Sequence, residues 1–298
     1  MAELGLTAPR RAPARGPASV PPVVLVLGAI SSVQVGAAFA KTLFDELGVG
    51  GTVFLRILFA AIVLALIWRP RLAGHGRGDL WLAVAFGLTL GAMNFAFYSA
   101  LDRIPLGIAV TFEFVGPLGV AVAGSRRPLD LLWVALAAAG ILLLSDFGST
   151  DLDGLGVALA LLAGGFWAAY ILLSARVGGA FPGGGGLALA MIVASVMLLP
   201  VGVGDAGADL LVPSILAAGA AVAILSSVIP YSLEMEALRR MPAGVFGVLM
   251  SLEPAAGALA GLIVLSEGLA AREVVAILLV IAATAGAASQ AKVTPRDA

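Results

Sequence analysis

Cysteine is absent from this 298-residue chain, and histidine occurs once, at His75. The first absence excludes disulfides and thiolate chemistry, and one histidine among Gly74, Gly76 and Arg77 cannot assemble a histidine metal site. No metal, cofactor or nucleic-acid partner is expected. The motifs of intramembrane or nucleotide chemistry are missing too: no His-Glu-x-x-His, no Gly-x-Ser-x-Gly and no Walker A lysine loop. Gly202-Val-Gly204-Asp-Ala-Gly207 has the spacing of a dinucleotide loop, but it follows an apolar run and has no βαβ context. An enzyme and an ATP-driven pump are therefore disfavoured. Charge is scarce as well, at 12% against 61% hydrophobic residues, where soluble domains carry about a quarter charged.

What is present is a series of apolar runs, and the mean hydropathy is +1.08. Ten of them, at about 22–41, 52–68, 80–101, 106–123, 131–145, 154–175, 187–204, 213–236, 243–265 and 272–289, approach the length that crosses a bilayer as helix. The chain is expected to be an all-α membrane protein of ten spans with no soluble domain. Residues 1–20, rich in Pro, Ala and Arg, and 290–298 read as cytoplasmic tails. Arg10-Arg11 and Ala38-Phe-Ala40 resemble an export signal and a cleavage site, but the first run exceeds a signal core, so span one is kept uncleaved. With both termini cytoplasmic, thirteen of the 17 basic residues lie inside and only Lys41, Arg103 and Arg272 outside, as the positive-inside rule requires.

A repeat divides the chain. Ala100-Leu-Asp-Arg103-Ile-Pro105-Leu-Gly107, continuing to Pro117, matches Ala237-Leu-Arg-Arg240-Met-Pro242-Ala-Gly244, continuing to Pro254, at an offset of 137 residues. An odd number of spans separates the copies, so the second enters the membrane inverted, as in secondary transporters. Residues 21–146 form the expected first five-helix repeat and 147–289 the second.

Polar residues inside the spans mark the candidate site. Gln34 is near mid-span, where an amide lines a cavity or bonds another helix. Asn94 and Tyr98 lie four apart on one face, and Trp167 and Tyr170 three apart on another. Glu113 is eight residues into span four. Pro117 brings no N–H to the Glu113 carbonyl, and Pro230 brings none to that of Ser226, which marks broken helices. Ser251, Glu253 and Pro254 are mid-span, as deep as Glu113. Intramembrane carboxyls face protein or water, which makes Glu113 and Glu253 candidates for proton coupling or for permanent satisfaction in the interior. Pro117, Pro230 and Pro254 are candidate hinges. Arg56, one turn inside span two, reads as a snorkelling anchor ahead of a substrate contact, and Lys41 as a snorkelling residue at the outer end. Glu234 and Glu236 read as facing Arg239 and Arg240. Spans five and ten look like packing or dimer elements. Asp146, Asp151 and Asp153 read as a solvated outer loop.

These residues carry a resemblance. Gln34-Val-Gly-Ala-Ala-Phe-Ala-Lys41, Asn94-Phe-Ala-Phe-Tyr98, Pro105-Leu-Gly-Ile-Ala-Val110, Glu113-Phe-Val-Gly-Pro117, Ser125-Arg-Arg-Pro128, Trp167-Ala-Ala-Tyr170-Ile, Pro230-Tyr-Ser-Leu-Glu-Met235 and Met250-Ser-Leu-Glu-Pro254 span nearly the whole chain. The chain resembles the drug/metabolite transporter superfamily, EamA type, and within it the threonine/homoserine exporters of bacterial inner membranes. The resemblance implies two inverted five-helix halves around a cavity walled by spans one to four and six to nine. It implies export of small amino acids by alternating access, with a wider drug or metabolite exporter as the alternative. Gln34, Asn94, Tyr98, Glu113, Trp167, Tyr170, Tyr231, Ser251 and Glu253 are the expected cavity residues, with the lipid bilayer as partner and protons as candidate partners, in a monomer or a homodimer through spans five and ten. The Gly183–Gly186 run stands outside these motifs.

Overall fold

The computed structural model describes residues 20–123, 128–144, 152–181, 183–238, 240–241 and 243–290. Nearly all of the two tails, Ser125 to Arg127, Asp146, Asp151, Arg239 and Pro242 lie outside the described residues. Those described are helical, with no strand among them. The helices are α1 (Pro22–Lys41), α2 (Phe44–Trp68), α3 (Arg77–Leu101), α4 (Leu106–Glu113), α5 (Val115–Ala123), α6 (Pro128–Leu144), α7 (Gly154–Ala180), α8 (Gly185–Ala206), α9 (Pro213–Ala223), α10 (Ile229–Leu238), α11 (Ala243–Met250), α12 (Glu253–Val264) and α13 (Ala271–Gln290). A 3-10 turn (Gly207–Leu211) precedes α9, and a π-helical turn (Ile224–Val228) joins α9 to α10.

Six of these segments are long and apolar enough to cross a membrane: α1, α2, α3, α7, Gly185–Leu211 and Pro213–Glu234. The expected spans four and nine are each interrupted. Phe114 separates α4 from α5, and Ser251 and Leu252 separate α11 from α12. The 137-residue offset read from the repeat carries Phe114 to Ser251, so the two interruptions are in register. Pro254 is in the first turn of α12, where a missing N–H costs nothing. The chain therefore breaks before this proline rather than at it.

The helices pack mostly between elements from opposite ends of the chain: α2 along α8, α3 along α7 and α8, α1 against α10 and α12, α4 against α12 and α7, and α6 along α13. Small residues permit the approach. A methyl on Gly87 would come within 2.6 Å of the Ala190 carbonyl, and one on Gly36 within 2.8 Å of Ser226 Cβ. Glycines at such crossings let backbones meet closely. The Gly183–Gly186 run also has a role. Trp68 lies over Gly183, whose φ is +62°, and Gly184, while Gly185 and Gly186 already belong to α8. Large apolar side chains such as Leu131, Val196 and Ile263 face outward, as the lipid-facing surface of a bundle does.

Two expected positions change. Span two begins at Phe44, not Thr52, and bends at Gly48, where φ is +65°. Arg56 is therefore about 12 Å beyond the bend, at 1.5 Å per residue, and near the middle of the element. His75 is not simply solvated: its ring stacks on Phe181 with centroids 4.4 Å apart.

Candidate functional site

Arg56 is the centre of a buried polar cluster. It is 5% exposed and turns inward, so the expectation that it snorkels to the boundary is wrong; the earlier start of α2 puts the interface out of reach. Its Nε donates to Ser226 Oγ at 2.7 Å and its Nη2 to the Ser226 carbonyl at 3.1 Å. That carbonyl is the one Pro230 leaves without a helical donor. Nη1 donates to Asn94 Oδ1. The guanidinium also lies over the Tyr98 ring, 5.0 Å from its centroid. Asn94 and Tyr98 thus share one face of α3, as their spacing predicted, and both face Arg56. Asn94 Nδ2 donates onward to the Leu90 carbonyl at 2.8 Å, and Ser226 Oγ to the Val222 carbonyl at 2.6 Å. Ser32 donates to the Leu225 carbonyl at 2.6 Å, binding α1 to the π-helical turn.

Three carboxyls inside the spans, Glu113, Glu234 and Glu253, form no ion pair with this cation. Glu113, at the end of α4, and Glu253, at the start of α12, are both buried. Glu113 lies in the field of Arg56, and Glu253 in the fields of Glu234 and Glu113. Among the described residues, none of the three acids meets a cation within ion-pair distance. Glu113 and Arg56 form no ion pair with each other. The notch at Glu113 is closed by α7: a methyl on Gly164 would lie 2.6 Å from the Glu113 carbonyl oxygen, and Gly116 packs on the Gly164 carbonyl. Glu234 corrects another expectation. Glu236 pairs with Arg240, whereas Glu234 acts on Tyr231, Tyr170 and Glu253. Ser227, Tyr231 and Glu234 fall at i, i+4 and i+7, a helical face that sequence spacing alone would have revealed.

The other expected residues are distributed around this centre. Gln34 is buried, and its Oε1 has no hydrogen-bond partner, so it does not glue helices through that atom. It lies against Gly257, where a methyl would come within 3.2 Å. Tyr231 is within the fields of Arg56, Tyr98 and Glu253. Trp167 meets Phe114 edge-on at 4.8 Å, and Tyr170 stacks on Phe86 at 5.0 Å. Both half-buried aromatics of α7 thus pack on the first half of the chain, Trp167 at the helix interruption. Ser251 is buried at the second interruption. Among the described residues, no three His, Asp or Glu side chains gather so as to hold a metal ion.

One end of the bundle is tied by polar contacts. Lys41 pairs with Glu267 at 2.7 Å, and the other Glu267 oxygen accepts the Leu106 N–H at 2.9 Å. Lys41 is thus held at the helix end rather than snorkelling free. Arg103 pairs with Asp153 at 2.7 Å, and Asp153 also caps α7 by accepting from Leu155 and Gly156. The Arg103 guanidinium and these amides hold the Asp153 carboxyl below its ordinary range. Asp205 accepts from the Gly50 N–H at 2.8 Å. Away from these polar groups, an apolar groove of about 720 Å³ lies between α5 and α7, lined by Val115, Gly116, Val120 and Leu172 among others.

Residues 154–288 match the EamA-like transporter family. The chain is 44% identical over 270 residues to the threonine/homoserine exporter RhtA of Salmonella typhimurium (strain SL1344), covering 89% of this chain and 90% of that protein. It is 43% identical, over the same shares, to the threonine/homoserine exporter RhtA of Escherichia coli (strain K12). A protein of known crystal structure, 19% identical, shares the fold with a TM-score of 0.57 over 91% of this chain and 97% of its own.

Proposed function

The chain belongs to the EamA-like transporter family, and from that premise we propose that it exports threonine, homoserine and related small neutral amino acids across a bacterial inner membrane. The observation that carries this reading is the 43–44% identity to threonine/homoserine exporters over nearly the whole chain. It is not an enzyme; it is a multi-pass membrane carrier. In the proposed arrangement, ten spans form two inverted five-helix halves with both termini cytoplasmic. The register of the interruptions at Phe114 and Ser251 and the distribution of basic residues support this. The halves rock about the polar cluster in alternating access. The π-helical turn before Pro230 and the interruptions near Pro117 and Pro254 absorb the bending. Glu113 and Glu253 couple export to protons. The carrier works as a monomer, or as a homodimer through α6 and α13.

The purified protein in liposomes loaded with unlabelled threonine should take up labelled threonine saturably, with homoserine competing and a lipophilic cation not competing. Absence of exchange by folded, inserted protein would refute the amino-acid reading. Proton coupling predicts that Glu113→Gln and Glu253→Gln together flatten the pH dependence of uphill transport; an unchanged profile removes both residues from coupling. The apolar groove between α5 and α7 favours a second reading, export of lipophilic compounds. Overexpression that raises drug tolerance without raising amino-acid tolerance would select it.

A further inference from the structure

Arg56 carries a charge that the protein does not neutralise. Its three hydrogen-bond acceptors are the Ser226 hydroxyl, the Ser226 carbonyl and the Asn94 amide oxygen, all neutral. A guanidinium has five N–H donors, one on Nε and two on each Nη. These bonds therefore leave one N–H on Nη1 and one on Nη2 without a partner among the described residues. A buried cation in an apolar interior is costly unless it is paired and fully hydrogen-bonded. Glu113 is near enough to feel the charge but forms no bond with it.

Unpartnered polar atoms occur on three elements that contact α2: α3, the π-helical turn and α1. The Tyr98 hydroxyl is within hydrogen-bonding reach of Arg56 and Ser226 but well aligned to neither, in a residue only 1% exposed. Ser227 Oγ and Gln34 Oε1 are also unpartnered, in residues 0% and 4% exposed. Native interiors rarely leave such groups unsatisfied without a functional reason. Open N–H groups on both Nη atoms of a buried guanidinium fit a planar anion, and a carboxylate accepts two parallel N–H bonds from a guanidinium.

Resting on the amino-acid export reading, we propose that Arg56, assisted by the Tyr98 and Ser227 hydroxyls, binds the substrate's carboxylate, so that the carrier selects α-amino acids with a free carboxylate and rejects their amides and esters. Ser226 and Asn94 hold the guanidinium in place for this task. The interaction is charge-assisted and buried, so removing the substrate's negative charge leaves the fork unmatched while the site still closes around a molecule of the same size.

The test uses the native protein in liposomes, with labelled threonine exchange competed by threonine, by threoninamide and by the threonine methyl ester. The amide and ester should compete at least about tenfold more weakly than threonine. Ser227→Ala, which removes a hydroxyl that bonds nothing, should fold normally and raise the KM for threonine. Arg56→Lys should raise that KM further and narrow the preference for threonine over threoninamide. Equal competition by threonine and threoninamide in the native protein overturns the assignment while leaving amino-acid export standing. So does a native KM and preference in an inserted Arg56→Gln variant. No threonine exchange by the native protein overturns this assignment and the export reading together. If Arg56→Gln does not insert, the competitor series on the native protein decides.

Discussion

Arg56 grips Ser226 twice, with Nε on the hydroxyl at 2.7 Å and Nη2 on the carbonyl at 3.1 Å. This joins the middle of α2 to the π-helical turn ahead of Pro230, two places 170 residues apart in the chain. The neighbouring Ser227 is equally buried but bonds nothing. Removing the Ser226 hydroxyl leaves a buried charged donor unsatisfied, at about 1–3 kcal/mol. Ser226→Ala should therefore lower the Tm in detergent clearly, whereas Ser227→Ala should leave it near native. Thermal unfolding of the two variants side by side checks the contrast; equal shifts would refute it.

Adjacent glycines of α7 should differ in the same way. A methyl at position 164 would lie 2.6 Å from the Glu113 carbonyl oxygen, while one at position 165 would meet nothing within 4 Å. Overpacking of this kind costs about 1–3 kcal/mol. Gly164→Ala should reduce the yield of monodisperse protein and its Tm. Gly165→Ala should behave as native. Size-exclusion profiles of both variants read the outcome directly.

The Lys41–Glu267 pair is partly shielded, with side chains 23% and 16% exposed. A double-mutant cycle with Lys41→Ala and Glu267→Ala should give a coupling of roughly 0.5–1 kcal/mol, near the upper end for surface pairs. The coupling should shrink as salt is raised. Glu267→Ala alone should cost more than Lys41→Ala alone, because it also strips the Leu106 N–H of its acceptor at 2.9 Å, whereas Lys41→Ala gives up only a longer 3.4 Å bond to the Ile104 carbonyl. A larger loss from Lys41→Ala would contradict this geometry.

Asp153 predicts a pH signature outside the membrane. Its hydrogen bond from Arg103, then those from the Leu155 and Gly156 amides, hold its folded pKa below the ordinary 3.8. A depressed pKa means that the folded state binds the proton less well than the unfolded state. The stabilisation is therefore full above pH 3.8 and is lost as pH falls through the lower folded value. Asp153→Ala should lower the Tm at pH 7, and the gap from native should close as the pH falls below that range. A gap that stays constant to pH 2 would show that the carboxylate charge contributes nothing.

Much of the site was legible in the sequence because polar residues in apolar runs are conspicuous. Asn94 and Tyr98 were placed on one face by helical spacing, and they share a partner. The freed carbonyl of Ser226 follows from Pro230 lacking an N–H, and it accepts a hydrogen bond from Arg56 Nη2. The partner itself was not legible. Arg56 sits within reach of the interface if α2 starts at Thr52, and becomes interior only because the helix begins at Phe44 and bends at Gly48. Glu234 was assigned to the arginines that follow it because they are close in sequence. Arg240 pairs with Glu236 instead, Arg239 lies outside the described residues, and Glu234 is within electrostatic range of Tyr231 and Glu253.

By itself the sequence determined the membrane class, the approximate helix boundaries, the 137-residue repeat and the family, because apolar run length, proline position and motif spacing act locally along the chain. Only the tertiary structure decided that Arg56 meets Ser226 and Asn94, that Gly164 fills the notch at Glu113, and that Lys41 meets Glu267. The reason is physical. Each of these is a contact between helices distant in sequence, set by close approach at glycines and by the rotation of each helix. An apolar-rich chain does not encode that rotation in its composition, and α7, α3 and α1 present apolar residues on nearly every side.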